Sequence, residues 1–133
     1  MSTKKFQATP QDMERYAKPI LAILAVHVDK SNAITARDIA SKLELQGKYD
    51  DRRVRAIITE LIDTQNEPIG ASDGHPAGFF IFSSVDEWRE YLASIVIDIG
   101  GSWKRYNKIA VIGRLRYGVP VKLVNPAQVV MGL

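Results

Sequence analysis

The sequence predicts a mainly α-helical domain with one small β-hairpin, an α+β fold that ends in an extended C-terminal helix. Apolar residues recur at steps of three and four in several segments of the 133-residue chain, which is the period of amphipathic helices. Two short extended runs are separated by a stretch with two glycines and a proline, which indicates a hairpin turn. We predict a domain over residues 1–99, followed by a basic helix and tail over residues 100–133.

The first helix is expected to begin at Thr9-Pro10. Threonine is a good helix cap, and proline at the first helical position sacrifices no hydrogen bond. The polar run at residues 29–32 is expected to end this helix. Its inward stripe consists of Met13, Tyr16, Ala17, Ile20, Leu21, Leu24 and Val28.

A short extended connector at residues 33–34 is predicted to lead into a second helix over residues 36–43. Thr35 and Asp38 have the spacing of a capping box, in which the two residues satisfy each other's free amides. Gly47 is expected to supply a positive φ in the turn that follows.

The third helix is predicted to begin at one of the two aspartates at positions 50 and 51 and to run to about residue 63. At about 100° per residue, Arg52 and Thr59 lie opposite the apolar stripe, and Arg53 and Arg55 flank them. The arginines therefore face away from the predicted core. The inward stripe consists of Val54, Ile57, Ile58 and Leu61.

The hairpin is predicted from extended runs at residues 69–72 and 79–82, and a capping box at Ser84 and Glu87 begins a fourth helix. A series of mostly apolar positions, spaced by three and four residues, runs through this helix and continues beyond it. The Gly100-Gly101 pair disfavours helix, so we expect the helix to stop or kink there and to resume over residues 103–115. The series consists of Trp88, Leu92, Ile95, Ile99, Ser102, Tyr106, Ile109 and Gly113.

This order of elements resembles the winged helix-turn-helix superfamily over residues 16–99. The segments that carry the resemblance are AITARDIASKLEL, DDRRVRAIITELID and PIGASDGHPAGFFIF. The pattern is similar to small regulators and replication-associated proteins of bacteria and their phages. The resemblance implies double-stranded DNA binding by a transcriptional regulator or by a replication or recombination accessory protein. The alternative is a winged helix that serves as a protein-interaction or assembly module.

The resemblance also implies which residues would contact DNA, with the third helix in the major groove. Arg52 is placed to pair with a guanine edge and Thr59 to add a contact further along. Arg53 and Arg55 are expected to bind the phosphates beside the groove, although such arginines also occur on solvated faces paired with acidic neighbours. The remaining predicted contacts are Thr35, Lys48, His75, Lys104, Arg105 and Lys108, with His75 directed to the minor groove.

The charge of the chain is unevenly distributed. The formal net charge is +3, yet residues 104–133 carry six basic side chains and no acidic one. This segment indicates an anionic partner, with nucleic acid ahead of an acidic membrane surface, or a solvated tail. Tyr106 and Ile109 are expected to contact a second copy, which gives a homodimer through the region after Ile99 and two third helices for a palindromic site.

The sequence contains no pattern that indicates an enzyme. Its two histidines have no companion ligands, it lacks cysteine, and it has no metalloprotease, phosphate-loop or nucleophile-elbow motif. We therefore expect no catalysis, no cofactor and no metal site. The longest apolar run, residues 20–28, is too short to cross a bilayer, and no secretory signal is recognised. We expect a cytoplasmic protein with no membrane partner.

Overall fold

The computed structural model describes residues 7–45, 47, 50–95 and 102–125. These residues form five α-helices, a single turn of 3-10 helix at Lys30–Asn32 and one antiparallel hairpin, which confirms the predicted helical fold with a small hairpin. None of the described helices is both long enough and apolar enough to span a lipid bilayer. The elements are α1 (Pro10–Leu24), α2 (Ala36–Lys42), α3 (Asp50–Gln65), β1 (Ile69–Ser72), β2 (Gly78–Ile81), α4 (Val85–Ser94) and α5 (Ser102–Tyr117).

The starts of α1 and α4 follow the capping residues that the sequence predicts. Thr9 Oγ1 accepts a hydrogen bond from the Asp12 amide at 3.0 Å, and the Asp12 carboxylate accepts one from the Thr9 amide at 3.3 Å. At α4, Ser84 Oγ accepts from the Glu87 amide at 3.1 Å. Each cap satisfies amides that would otherwise lack a partner at the first turn, so it fixes where the helix begins.

The first helix ends earlier than its apolar pattern predicts. It stops at Leu24, and Val28 pairs instead with Ile81 of β2. The Ile81 amide donates to the His27 carbonyl at 3.0 Å, and the Asp29 amide donates to the Ile81 carbonyl at 2.9 Å. The backbone of residues 27–29 is therefore used by the sheet, and the extension of the helix to Val28 was wrong.

The turn after α2 places a glutamate in the left-handed region. Glu44 has φ 61°, its amide donates to the Ser41 carbonyl at 2.9 Å, and the Leu45 amide donates to the Ala40 carbonyl at 3.0 Å. These two bonds are those of a Schellman motif, which ends a helix by satisfying its last carbonyls. Gly47, which was expected to supply the positive φ, lies between residues outside the described part of the chain.

The hairpin is held on two sides. β1 and β2 pair with Ile69 opposite Ile81, and β2 also bonds to the connector before α2. There the Ile34 amide donates to the Phe79 carbonyl at 2.9 Å and the Phe79 amide donates back at 2.7 Å. Gly78 has φ 121°, and a Cβ at this position would overlap the Ile34 carbonyl. The predicted extended connector is thus confirmed, and the structure adds that Ile34 pairs with Phe79 of the hairpin.

One core joins all the helices and the hairpin. α1 and α2 pack on α3, and α4 packs on α5. The inward stripe of α3 is confirmed in full, because each of its four predicted residues is completely buried. The largest fully buried side chains are Trp88, Phe80, Ile20, Leu24, Ile39, Ile57, Ile58, Leu61, Ile69, Ile109, Ile112 and Val54.

The C-terminal helix is a separate element and not an extension of α4. α4 ends at Ser94, and the glycine pair of residues 100–101 and the domain boundary predicted at residue 99 lie outside the described residues. The buried Trp88 indole donates from Nε1 to the Ile109 carbonyl at 2.8 Å. The expectation that Ile109 contacts a second copy was therefore wrong, since packing against Trp88 already removes it from water. Helix resumption near residue 103 is confirmed.

Gly113 provides a direct test of the contact between α4 and α5. A Cβ at this position would overlap the Trp88 ring, whereas a Cβ at Gly74 would meet its nearest atom, Ser72 Oγ, at 3.6 Å. We expect Gly113→Ala to lower the free energy of unfolding by more than about 2 kcal/mol, despite the gain of about 1 kcal/mol in helix propensity. Gly74→Ala should change it by less than about 0.5 kcal/mol. Equal losses for the two variants in urea denaturation would contradict this packing.

Candidate nucleic-acid interface

The side of α3 opposite its buried stripe is open to solvent. Arg52 and Thr59 are exposed, and the Arg55 side chain retains 61% of its accessible surface. Thus the structure brings together, on one accessible side, three of the residues predicted to contact DNA. The helical spacing of the apolar residues accounts for this orientation, because burial of the stripe fixes the rotation of the helix.

Arg53 points to a structural contact. Its guanidinium lies 3.8 Å from Asp12 of α1 and 3.5 Å from Asp50 of its own helix. Asp50 is only 8% exposed and also accepts a hydrogen bond from the Gly47 amide. Arg53 therefore links the first turns of α1 and α3, and phosphate would have to compete with two carboxylates for it. The Arg55–Asp51 pair, at 3.7 Å, is more exposed, and such pairs are weak.

The basic residues of α5 meet the acidic end of α3. Arg105 lies 3.5 Å from Asp63, and Lys108 Nζ donates to Asn66 Oδ1 at 2.6 Å. Arg116 lies 3.6 Å from Glu67. Cations near the C-terminal end of a helix are stabilised by its dipole as well as by acidic side chains. The excess of basic residues in 104–133 did not by itself indicate that they pair within the chain. The acidic residues in 60–67 were the sequence feature that could have suggested this pairing.

The two groups of basic residues lie at opposite ends of α3. Arg52 is in its first turn and Asp63, the partner of Arg105, in its last full turn, which separates them by about 16 Å along the axis. By helical rotation both positions lie on the same side of α3. Arg105 and Lys108 thus lie near the C-terminal end of α3 and do not form one continuous basic patch with the arginines near its start.

The other predicted site residues are dispersed. Thr35 Oγ1 accepts from the Asp38 amide at 3.1 Å, which confirms that Thr35 caps α2. His75 is exposed in the hairpin tip, and Lys104 is exposed with its Nζ 5.6 Å from the centre of the Trp103 ring. Lys48 lies outside the described residues. None of these contacts to DNA is tested by the fold, so each stays a prediction.

A groove that the sequence did not reveal lies between the hairpin tip, the Lys30–Asn32 turn and α4. It has a volume of about 980 Å³. Four acidic residues and one lysine line it, together with the half-buried Tyr91 and Ile95 and the almost fully buried Phe80. The sequence contains little indication of this groove, because the acidic residues that line it come from three distant segments. These residues are Asp29, Asp73, Glu87 and Glu90, with Lys30.

Two of these carboxylates are held by the backbone. Asp29, with φ 82°, accepts from the Ser31 amide at 3.1 Å, and Glu87 accepts from the amides of Lys30 at 3.0 Å and Ser83 at 2.8 Å. The Ser31 amide is the main cause that lowers the pKa of Asp29, a hydrogen bond with the Glu87 side chain acts in the same direction, and burial opposes both. These bonds join the 3-10 turn to the start of α4.

Tyr117, at the end of α5, lies behind the same region. Its ring centre is 5.8 Å from that of Trp88. Burial raises the pKa of the Tyr117 phenol, the positive charge of Arg116 opposes this shift, and the negative charge of Glu87 adds to it. The phenol is therefore neutral at physiological pH and acts as part of the packing between α4 and α5.

Two further observations bear on these surfaces, a search of the described residues for metal ligands and a comparison of the chain with known proteins. Among the residues that the structure describes, no group of three or more histidine, aspartate or glutamate side chains is arranged to hold a metal ion. Comparison of the chain with protein-family models, curated proteins and solved structures gives no match.

The position of Arg53 leads to a stability prediction. Arg53→Ala should lower the free energy of unfolding by about 1 kcal/mol, because it removes a partly buried link between α1 and α3 and leaves Asp50 without its guanidinium. Arg55→Ala is the matched control on the same helix, and its exposed pair should contribute less than about 0.5 kcal/mol. Both are measured by urea denaturation, and an equal effect of the two substitutions would contradict the structural role of Arg53.

Proposed function

We propose that the protein binds double-stranded DNA through α3, as a winged helix-turn-helix protein that acts in transcription regulation or as a replication or recombination accessory factor. The observation that supports this most directly is the accessible side of α3, where Arg52, Arg55 and Thr59 lie opposite a completely buried stripe. α2 precedes α3 and packs on it, and a hairpin follows, which is the order of elements in this class of DNA-binding domain.

In this proposal the first half of α3 enters the major groove. Arg52 is near the start of the helix, where a long side chain reaches the base edges, and its guanidinium pairs with the O6 and N7 atoms of a guanine. Arg55 exchanges its exposed contact with Asp51 for a phosphate oxygen beside the groove. Because Arg53 is already paired with two carboxylates, we expect the phosphate contacts to be few and the affinity to be moderate.

The two arginines should give different signatures in DNA binding. Arg52→Ala should cost about 1–3 kcal/mol on a preferred duplex and little on a random one, because a base contact is lost. Arg55→Ala should weaken binding to every duplex and reduce the slope of log affinity against log salt by about 0.9, the value for one phosphate contact. Duplexes selected from a random pool by the wild-type protein are the probes, measured by fluorescence anisotropy at several salt concentrations.

Arg89→Ala is the control for this experiment. Arg89 is also exposed but lies on α4, so its loss removes the same charge without changing α3. It should leave the affinity for the selected duplex within about twofold. If the wild-type protein enriches no sequence and binds a random duplex no better than the Arg52→Ala/Arg55→Ala variant, DNA binding by α3 is excluded.

A second candidate function is a protein-interaction or assembly module without specific DNA binding. The acidic groove favours it, since the hairpin tip that would approach the DNA backbone carries Asp73 and lies near further carboxylates. Under this alternative the basic residues of α5 serve the fold through Asp63, Asn66 and Glu67. Failure of duplex selection together with a normally folded protein would favour this candidate over the first.

A homodimer is part of the first proposal, because two copies would present two α3 helices to a palindromic site. Ile109 is buried, so a second copy would have to meet another part of α5, where Leu115 is 58% exposed. We expect sedimentation equilibrium to give a dimer at micromolar concentration and Leu115→Glu to shift it towards monomer. A monomeric wild-type protein at that concentration would remove the dimer from the proposal.

A further inference from the structure

We propose that the groove between the hairpin tip, the Lys30–Asn32 turn and α4 binds an extended, arginine- or lysine-rich peptide segment of a partner protein. This inference does not depend on DNA binding by α3, because the groove shares no residue with that helix. The shape of the groove, its charge and the half-buried Tyr91 in its lining support this inference.

The shape fits a chain of several residues. The volume of about 980 Å³ is at the upper end of the range for small-molecule sites, and the groove is bounded by three separate elements. The hairpin tip contributes residues 71–75, α4 contributes residues between 87 and 94, and Ile95 follows α4. An open groove of this size accommodates an extended segment and is too large for a single ion.

The charge of the groove favours a cationic segment. Four carboxylates line it, and Lys30 is the only lysine or arginine among its lining residues. Asp73 and Glu90 are both exposed, one on the hairpin and the other on α4. Carboxylates that are spread along a groove attract a chain of several positive charges and repel the phosphates of nucleic acid. Residues 51–103 carry nine acidic and four basic side chains, and three of the nine acidic ones line this groove.

The half-buried side chains of Tyr91 and Ile95 provide apolar surface for the hydrocarbon part of long basic side chains. Tyr91 is half-buried and contacts two phenylalanines, with ring centres 6.2 Å from Phe80 and 5.3 Å from Phe82. Those contacts hold the tyrosine ring in one orientation. Arginine and lysine pack their methylene groups on apolar surface and place their cation over an aromatic face. Ile95, the residue after α4, also lines the groove.

The same carboxylates are poorly arranged for a metal ion. Asp29 and Glu87 already accept hydrogen bonds from backbone amides, which direct their lone pairs towards the protein. Asp73 and Glu90 remain, and they belong to different elements, the hairpin and α4. The described residues accordingly contain no metal-ligand cluster. A peptide with several separated positive charges can contact carboxylates on different elements, whereas one small cation cannot.

The proposal is tested with a fluorescein-labelled nona-arginine peptide as the probe and labelled nona-glutamate as the charge control. The key variant is Asp73→Asn/Glu90→Gln, which removes two groove charges and keeps the side-chain shapes. The matched control is Glu14→Gln/Glu60→Gln, which changes the net charge equally on α1 and α3, away from the groove. Circular dichroism and thermal unfolding establish that each variant is folded, and binding is measured by anisotropy at about 0.1 M salt.

We expect the wild-type protein to bind nona-arginine and not nona-glutamate. The groove variant should weaken binding about tenfold and the matched control less than about twofold. Tyr91→Leu, which keeps an apolar side chain without the ring, should weaken it about two- to fivefold. Equal weakening by the groove variant and the matched control would show a response to net charge alone and would overturn the proposal, as would no binding by the wild-type protein at about 100 µM.

Two further outcomes separate this proposal from the others. The groove variant should leave duplex binding unchanged or slightly stronger, and Arg52→Ala should leave peptide binding unchanged. If the groove variant instead converts a wild-type dimer into a monomer while peptide binding is unaltered, the groove holds a second copy of the chain and the partner-peptide proposal is overturned.

Discussion

Burial of the apolar stripe of α3 is the constraint on which the rest of the structure depends. Val54, Ile57 and Leu61 lose all contact with water, and each such side chain contributes about 1.5–3 kcal/mol relative to its exposed state. Rotation of the helix by one residue, about 100°, would expose part of this stripe and bury a guanidinium group. The position of Arg52 and Arg55 on the outside therefore follows from the core. The same burial therefore fixes the orientation of the surface that is proposed to bind DNA.

Internal charge pairing determines how much of the positive charge remains for a partner. The chain has 18 basic residues, but Arg53 is directed to α1 and the first turn of its own helix, and three basic residues of α5 are directed to the end of α3. These contacts fix the relative positions of α1, α3 and α5. A distinct acidic groove lies beside the hairpin, apart from the arginines at the start of α3. The net charge of the sequence hides this separation.

The features that the sequence predicted correctly depend on neighbours within a few residues. The caps at Thr9, Thr35 and Ser84, the stripe of α3 and the hairpin are of this kind. The errors arose where distant segments meet: the end of α1 is set by hydrogen bonds between residues 27–29 and β2, and Ile109 is buried by Trp88, 21 positions earlier. The exposed side of α3 was predictable from its helical period. The groove was not, because Asp29, Asp73 and Glu90 come together only in the folded chain.

The hairpin tip lines the acidic groove and, in the proposed winged-helix arrangement, would also approach DNA, so its charge argues that the two proposed surfaces have separate partners. In a winged-helix protein on DNA, the hairpin approaches the sugar-phosphate backbone, where Asp73 would be repelled. His75, the residue expected in the minor groove, lines the acidic groove beside that aspartate. A positively charged segment bound in the groove would offset these carboxylates and weaken the repulsion of the duplex. By this electrostatic argument a basic partner and DNA would bind with positive coupling, although they contact different residues.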